Sequence, residues 1–400
     1  MKASAHAFAL LGGPRTFASD LPVGQLYFPT WEHYKEAMGG IIERRYYTNH
    51  GPLVQELESR LEDFLGVANV VTVSNATIGL YLVALALEIT GRVIMPAFTF
   101  VATAQAALLA NLEPVFCDVD LETHQVTPAT AEAALRDEDA SVAALCAVNL
   151  WGGCTDVVGL EGWAQAHQLP LYFDSAHGFG SSRSEGRLGR FGQAEVFSFH
   201  ATKIMSATEG GCVATNDDHL AERIRNMRSN YGIRHPVTIP LTINARMSEA
   251  QAAVALISLD ELEHRISHNT ALAGAYRSTL QDLPGVLLHE PPGVTICNHQ
   301  SMVIIVDEQD FGLSPDLLWT LLRAEGVRAR RYFSPGVHRS VPFGTRFPRF
   351  LDRLPVTDQL CRTVLQLPVG ALVGVDDASR IGEIIRDAHA CAEELRTSRR

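Results

Sequence analysis

Residues 196–211 run Val-Phe-Ser-Phe-His-Ala-Thr-Lys-Ile-Met-Ser-Ala-Thr-Glu-Gly-Gly, so Ser198 and Lys203 stand five positions apart on a loop that leaves an apolar strand candidate. A lysine desolvated in a pocket forms a Schiff base with an aldehyde and afterwards carries a proton, and a serine hydroxyl beside it can hydrogen-bond to a phosphate. Asp174 follows the apolar run Leu171-Tyr-Phe173. A carboxylate at the carboxyl end of a parallel strand points into the crevice where open α/β sheets bind ligands. Beneath a pyridine ring it would keep the ring nitrogen protonated. Where Val71-Thr-Val73 gives way to a helical run, Ser74 and Thr77 flank a helix start, whose N–H groups form an anion site. Phe100, just past the candidate strand 92–95, offers a flat face on which a ring can stack.

Each feature also has an ordinary reading. A lysine in a glycine-containing loop is common, an aspartate before a turn caps helices, Ser74 and Thr77 do the same, and an aromatic after a strand packs in cores. What joins them is position: each lies at or just past the end of a strand candidate, and together they outline one site.

The elements that must position them alternate. Strand candidates at 69–73, 92–95, 114–117, 143–148, 170–173, 195–198 and 211–215 are separated by helix candidates at 53–65, 78–88, 101–111, 128–136 and 157–167, the signature of a mostly parallel sheet covered by helices. From about 218 the pattern turns helical, with a long periodic segment 247–278; strand-like 301–306, helix-like 314–324 and helical 376–396 follow. This reads as an α/β protein, with residues 1–245 forming an N-terminal arm and a large domain around a seven-stranded sheet. Residues 246–400 then form a connecting helix and a smaller C-terminal α+β domain, with a basic tail at 396–400 that frays.

Composition bounds the partners. The chain has 400 residues, 46% hydrophobic and 20% charged, and a formal net charge of -12, which argues against wrapping nucleic acid or docking on an anionic membrane. The densest internal basic cluster, Arg328-Ala-Arg-Arg331 followed by Tyr332, is either a solvated face or a meeting point for ligand phosphates. Seven scattered cysteines without a Cys-x-x-Cys pair indicate neither a disulfide framework nor a zinc site and suit a reducing cytoplasm. The apolar stretch within residues 1–13 is too short and too thinly charged for a secretory signal, and no run of apolar residues is long enough to span a membrane.

Five segments in order carry a family resemblance: Ser74-Asn-Ala-Thr77, Pro96-Ala-Phe-Thr-Phe-Val-Ala-Thr103, Asp174-Ser-Ala-His177, Ser198-Phe-His-Ala-Thr-Lys203 with Glu209-Gly-Gly211, and Asn244-Ala-Arg-Met-Ser-Glu249. Over roughly residues 25 to 375 the chain resembles the DegT/DnrJ/EryC1/StrS family of sugar-nucleotide aminotransferases. The resemblance implies a fold type I transferase that uses pyridoxal 5'-phosphate and works as a homodimer with shared active sites. On the matching positions, Lys203 is the Schiff-base lysine, Asp174 the partner of the pyridine nitrogen, Phe100 the stacking aromatic and His177 a contact on the side of the phenolic oxygen. Ala76, Thr77 and Ser198 match phosphate ligands, and Asn244 matches an asparagine that reaches the neighbouring subunit's phosphate.

The chain departs from the family pattern at Ala76, where many members carry glycine, at Phe173, which replaces a frequent acidic residue, and at Asn149 and Tyr231, where histidine is frequent. The wording of Thr48-Asn-His-Gly-Pro52, His200-Ala-Thr-Lys203 and Thr208-Glu-Gly-Gly211 is most similar to members that aminate C4 of a dTDP-4-keto-6-deoxyhexose, with L-glutamate as donor and ping-pong kinetics. Three other readings compete. A non-sugar or cyclitol ketone is one substrate alternative, and a non-catalytic cofactor-binding regulator is another function. The 3-dehydratase branch of the family places histidine where this chain has Lys203.

Overall fold

A computed structural model describes residues 2, 4–138, 141–229 and 237–398 of the chain. Seven strands form the central sheet: β1 (Asn69–Val73), β2 (Arg92–Pro96), β3 (Glu113–Cys117), β4 (Val142–Val148), β5 (Leu171–Asp174), β8 (Ala194–Ser198) and β9 (Gly211–Thr215), in the order β1-β9-β8-β5-β4-β2-β3. A two-stranded ribbon, β6 (Ser182–Arg183) with β7 (Gly186–Arg187), lies between β5 and β8 in the chain. Only β9 runs against the others, pairing antiparallel with both β1 and β8. The strands are largely apolar and buried because helices cover both faces; in β4, Val-Ala-Ala-Leu-Cys-Ala-Val, all but Ala143 are buried.

Parallel strands share one carboxyl edge. The register sets Val148 beside Asp174, Asp174 beside Val196, and Ser198 beside Gly211, so the ends of β4, β5 and β8 open on the same crevice. The helix Ala76–Ala86 enters there directly after β1, and Val101–Leu109 directly after β2. Seven strand candidates of the sequence coincide with these seven strands to within one residue at either end.

The long periodic segment departs from its expectation in one respect. It forms two helices, Glu249–Asp260 and Leu262–Leu280, with a single non-helical residue, Glu261, between them. The guanidinium of Arg265 donates to the Ser258 carbonyl and, at 2.8 Å, to its hydroxyl. That draws away a carbonyl the helical ladder would otherwise use, a recognised cause of a local break. Beyond it, β10 (Val286–Leu288), β11 (Met302–Val306) and β12 (Val364–Leu367) make a three-stranded antiparallel sheet. A second apolar core forms around this sheet from Ile304, Leu365, Leu367 and Leu318, joined by Ala5 and Phe8 of the N-terminal segment. Among the described residues, no helix is long and apolar enough to cross a membrane.

Candidate active site

The crevice at the carboxyl edge is a cavity of about 590 Å³. Its wall contains Ala76, Thr77, Phe100, Asp174, His177, Ser198 and Lys203, all singled out in the sequence, and also Asn149. Tyr231 lies outside the described residues. Asn244 is exposed and is not part of this wall, but the carbonyl of the next residue, Ala245, accepts from the Ser74 N–H at 2.8 Å. The segment therefore passes beside the mouth where the helix Ala76–Ala86 begins.

That helix start turns its first N–H groups toward the cavity. Asn75 caps it, its side chain accepting from the Ile78 N–H at 2.9 Å, while Gly79 N–H bonds the Asn75 carbonyl. Ala76 and Thr77 are the first two helical residues, whose N–H groups a helix cannot satisfy internally, and both face the cavity. Gly211 makes the approach possible. A Cβ there would lie 2.6 Å from the Phe197 carbonyl oxygen and 3.0 Å from the Ala76 nitrogen, so the Glu-Gly-Gly signal keeps β8, β9 and the helix start together. Ser198, at the end of β8, adds a hydroxyl that accepts from the His200 N–H at 3.4 Å.

Asp174 closes β5 at 5% exposure. Its Oδ2 accepts from the Thr103 hydroxyl at 2.7 Å and its Oδ1 from the Ala176 N–H at 3.2 Å. Burial pushes its carboxyl above the ordinary value, against the pull of Thr103, Ala176 and the Lys203 charge. Lys203 is held by its backbone N–H bonding the His200 carbonyl at 2.8 Å. Burial lowers its ammonium to about 8, opposed by Asp174 and reinforced by the Arg330 charge. A lysine so tuned has a sizeable neutral, nucleophilic fraction near neutral pH.

His177 is held well below its usual range by burial and by the Lys203 charge, so its imidazole is neutral. Its Nδ1 accepts from the Trp151 N–H at 3.4 Å, which leaves the proton on Nε2 as a donor. The ring stacks on Trp151 with centroids 5.6 Å apart. Asn149 is buried, donating to the Ser175 hydroxyl at 2.9 Å and accepting from the Thr155 N–H at 2.9 Å, so half of its side-chain capacity ties the end of β4 to the residue after β5 and to the loop that follows β4. Phe100 caps the helix Val101–Leu109 and is 52% exposed, its ring open to the cavity. Phe173, another of the departures from the family pattern, is wholly buried in the core.

Several site residues escaped the sequence reading. Thr103 sits inside a quoted motif, yet only the folded chain brings it 71 positions along to Asp174. Arg330, Tyr332 and Phe333 reach the wall from the C-terminal part of the chain. The basic cluster was their one signal, and it divides: Arg328 pairs with Asp20 and Arg331 with Asp316, while Arg330 faces the cavity.

The donor set suits the cofactor that the resemblance implies. A cradle of two first-turn N–H groups with Ser198 matches a phosphate, Phe100 a flat ring, Asp174 a protonated ring nitrogen, and Lys203 an aldehyde carbon. Lysine occurs at positions 2, 35 and 203 of the sequence, and only Lys203 lines this cavity.

Comparison with known proteins gives concordant results. The pattern of the DegT/DnrJ/EryC1/StrS aminotransferase family matches residues 31–386. A dTDP-4-amino-4,6-dideoxy-D-glucose transaminase of Shigella dysenteriae is 33% identical over 371 residues, 91% of this chain and 98% of the relative. A transaminase of the same name from Escherichia coli is 29% identical over 353 residues, 87% of this chain and 93% of the relative. Among solved structures, DesI in the presence of its TDP-sugar product superposes with a TM-score of 0.92 at 38% identity, over 99% of this chain and 100% of that one. DesV of S. venezuelae in complex with a ketimine intermediate gives 0.84 at 26% identity, over 93% and 99%. The chain belongs to the DegT/DnrJ/EryC1/StrS family of pyridoxal-phosphate-dependent aminotransferases.

Proposed function

We propose that the chain moves an amino group from L-glutamate to C4 of a dTDP-4-keto-6-deoxyhexose, in two alternating half-reactions. The observation that carries this reading is the meeting of Lys203, Asp174 and the Ala76 and Thr77 N–H groups in one cavity. The choice of sugar and carbon is supported by the names of the Shigella and Escherichia relatives and by the TDP-sugar product of DesI.

When bound, pyridoxal phosphate supplies an aldehyde that exchanges its oxygen for the amino group and a ring that accepts the electron pair left at the donor's α-carbon. The first turn of the helix Ala76–Ala86 and Ser198 would hold the phosphate, and Phe100 would cover one face of the ring. Asp174 would keep the proton on the ring nitrogen; a cation there would favour its ionised form, offsetting the burial that raises it. Lys203 would take the proton from the donor's α-carbon on its free amine and give it up again within the site, and would run the same transfer in reverse for the keto sugar. His177 donates from Nε2 to oxygen on its side of the cavity. Asn244 serves the partner subunit's phosphate site, so the working unit is a homodimer.

Purified enzyme incubated with glutamate and a panel of keto-sugar nucleotides, with products read by mass, tests the assignment. Amination of a dTDP-4-keto-6-deoxyhexose is expected. Turnover of a free cyclitol ketone with none of the nucleotides would overturn it.

A further inference from the structure

We propose that Trp151 is the positioning residue for His177. Its backbone N–H, presented from a left-handed conformation that a bond to His124 maintains, selects the orientation in which the imidazole keeps Nε2–H as a donor in the cavity wall. The inference rests on the aminotransferase reading above and names what aims one of its groups. Trp151 is wholly buried, yet its φ is 61°. A bulky side chain in that region is a backbone outlier, which persists only where the surroundings over-determine it, and such residues gather at functional sites. Here the surroundings are specific. The indole N–H donates to His124 Nδ1 at 3.3 Å. Burial, with His289 stacked 4.0 Å away, lowers His124 to about 3, so that nitrogen keeps its lone pair for the indole. Phe333 lies nearly parallel to the indole at 5.3 Å, and Phe98 stands edge-on at 6.2 Å. Gly152, left-handed as well, is so close to Asn298 that a Cβ would lie 2.5 Å from its Oδ1.

What this turn delivers is an N–H aimed at one edge of a ring. It reaches His177 Nδ1 at 3.4 Å, and the indole stacks on the same imidazole. The His177 carbonyl is held separately, by the Asn298 side chain at 2.8 Å. The freedom left to His177 is rotation of its ring about the last torsion, which is broadly two-fold. Only one orientation sets a nitrogen against the Trp151 N–H; the flipped ring offers a C–H and leaves a buried donor unpaired, which is costly. In the cavity wall the same flip exchanges the Nε2 donor for carbon. Left-handed backbone is unfavourable for a tryptophan by an amount of the same order as one hydrogen bond, so the bond to His124 decides whether the turn holds. Trp151 thus acts through His177, and His124 through Trp151.

The test breaks the anchoring bond from either end. Trp151→Phe keeps an aromatic ring without the indole N–H, His124→Leu removes the acceptor, and His124→Asn puts an oxygen near the place of Nδ1. In nitrogen-labelled apoprotein, magnetic resonance reads the nitrogen-to-nitrogen coupling carried across the hydrogen bond from the backbone N–H to His177 Nδ1, with His177→Gln assigning the signal. Wild type and His124→Asn are expected to show it, and Trp151→Phe and His124→Leu to lose it. In holoenzyme the same two variants should lose about tenfold in kcat with KM within about twofold, and His124→Asn should retain the wild-type rate. Either of the two suffices where the other fails to fold. Absence of the coupling from wild type would overturn the proposal at once. Coupling and kcat unchanged in both variants, whatever their loss of thermal stability, would reduce Trp151 to packing. A lost coupling with unchanged kcat would overturn the positioning role, and a His124→Asn chain as impaired as His124→Leu would overturn the part given to His124. Wild type that shows the coupling yet aminates no keto-sugar nucleotide would instead bring down the aminotransferase reading on which the proposal rests.

Discussion

The hydroxyl of Thr103 donates to Asp174 Oδ2 at 2.7 Å, with the Thr99 hydroxyl 2.9 Å behind it. The carboxylate that faces the cavity is thus oriented from the helix that also presents Phe100. Removing the donor by Thr103→Val leaves a buried carboxylate short of a hydrogen bond, which raises its pKa further. Since the ionised form is the working one, kcat/KM is expected to fall about tenfold, the equivalent of one hydrogen bond to a charged group, with its acidic limb moved to higher pH. Thr103→Ser should restore both. A rate loss with an unmoved limb would mark the threonine as packing alone.

Asp174→Asn keeps the shape and removes the charge. Bound cofactor should survive, while turnover falls by at least a hundredfold because an amide does not hold the ring nitrogen protonated. Near-normal rates would reduce Asp174 to a cap at the end of β5.

The depressed Lys203 amine makes a pH prediction of its own. Neutral amine is the reactive form, so capture of pyridoxal phosphate by the apoprotein should accelerate with rising pH around a midpoint of about 8. Asp174 raises that midpoint and Arg330 lowers it, so Asp174→Asn should move it down and Arg330→Gln up. A wild-type midpoint near an ordinary lysine value of about 10.4 would contradict the burial argument.

Phe100 is exposed at the cavity, so Phe100→Ala costs little folding stability, within about 0.5 kcal/mol. Loss of the stacking face should weaken cofactor affinity by about threefold to tenfold, measured by equilibrium titration. The reverse pattern, a stability loss with unchanged affinity, would assign the ring to the core.

Asn244 is tested by mixing. Inactive Lys203→Ala and crippled Asn244→Ala chains carry their defects in different parts of one site. If the asparagine acts across the interface, one site of the mixed dimer holds both defects and the other neither, so activity returns on subunit exchange. No recovery despite demonstrated exchange would place Asn244 in its own chain's site or in none.

What the sequence made legible was set by local pattern. β-branched runs located the seven large-sheet strands, and because parallel strands share a carboxyl edge, residues such as Asp174 and Ser198 at strand ends had to converge. What stayed hidden depends on contacts without local signature. The pairing of Thr103 with Asp174, and of Trp151 with His177, is made by the sheet order. The break at Glu261 comes from a side chain four residues on, with no proline or glycine to announce it. Arg330 looked like its neighbours in a basic run; only the positions of Asp20 and Asp316 single it out.

The central claim is that Lys203 carries the cofactor, and the lysine inventory makes it directly measurable. Lys2 is buried and paired with Glu325 at 2.9 Å, and Lys35 lies exposed on the helix Trp31–Arg44, so the candidates are chemically distinct. Borohydride reduction of the holoenzyme followed by peptide mass mapping fixes the covalent bond where it stands. A phosphopyridoxyl group on the peptide containing Lys203, absent from Lys203→Ala, is the expected result; a label on Lys2 or Lys35, or none on a fully loaded wild-type chain, would contradict it.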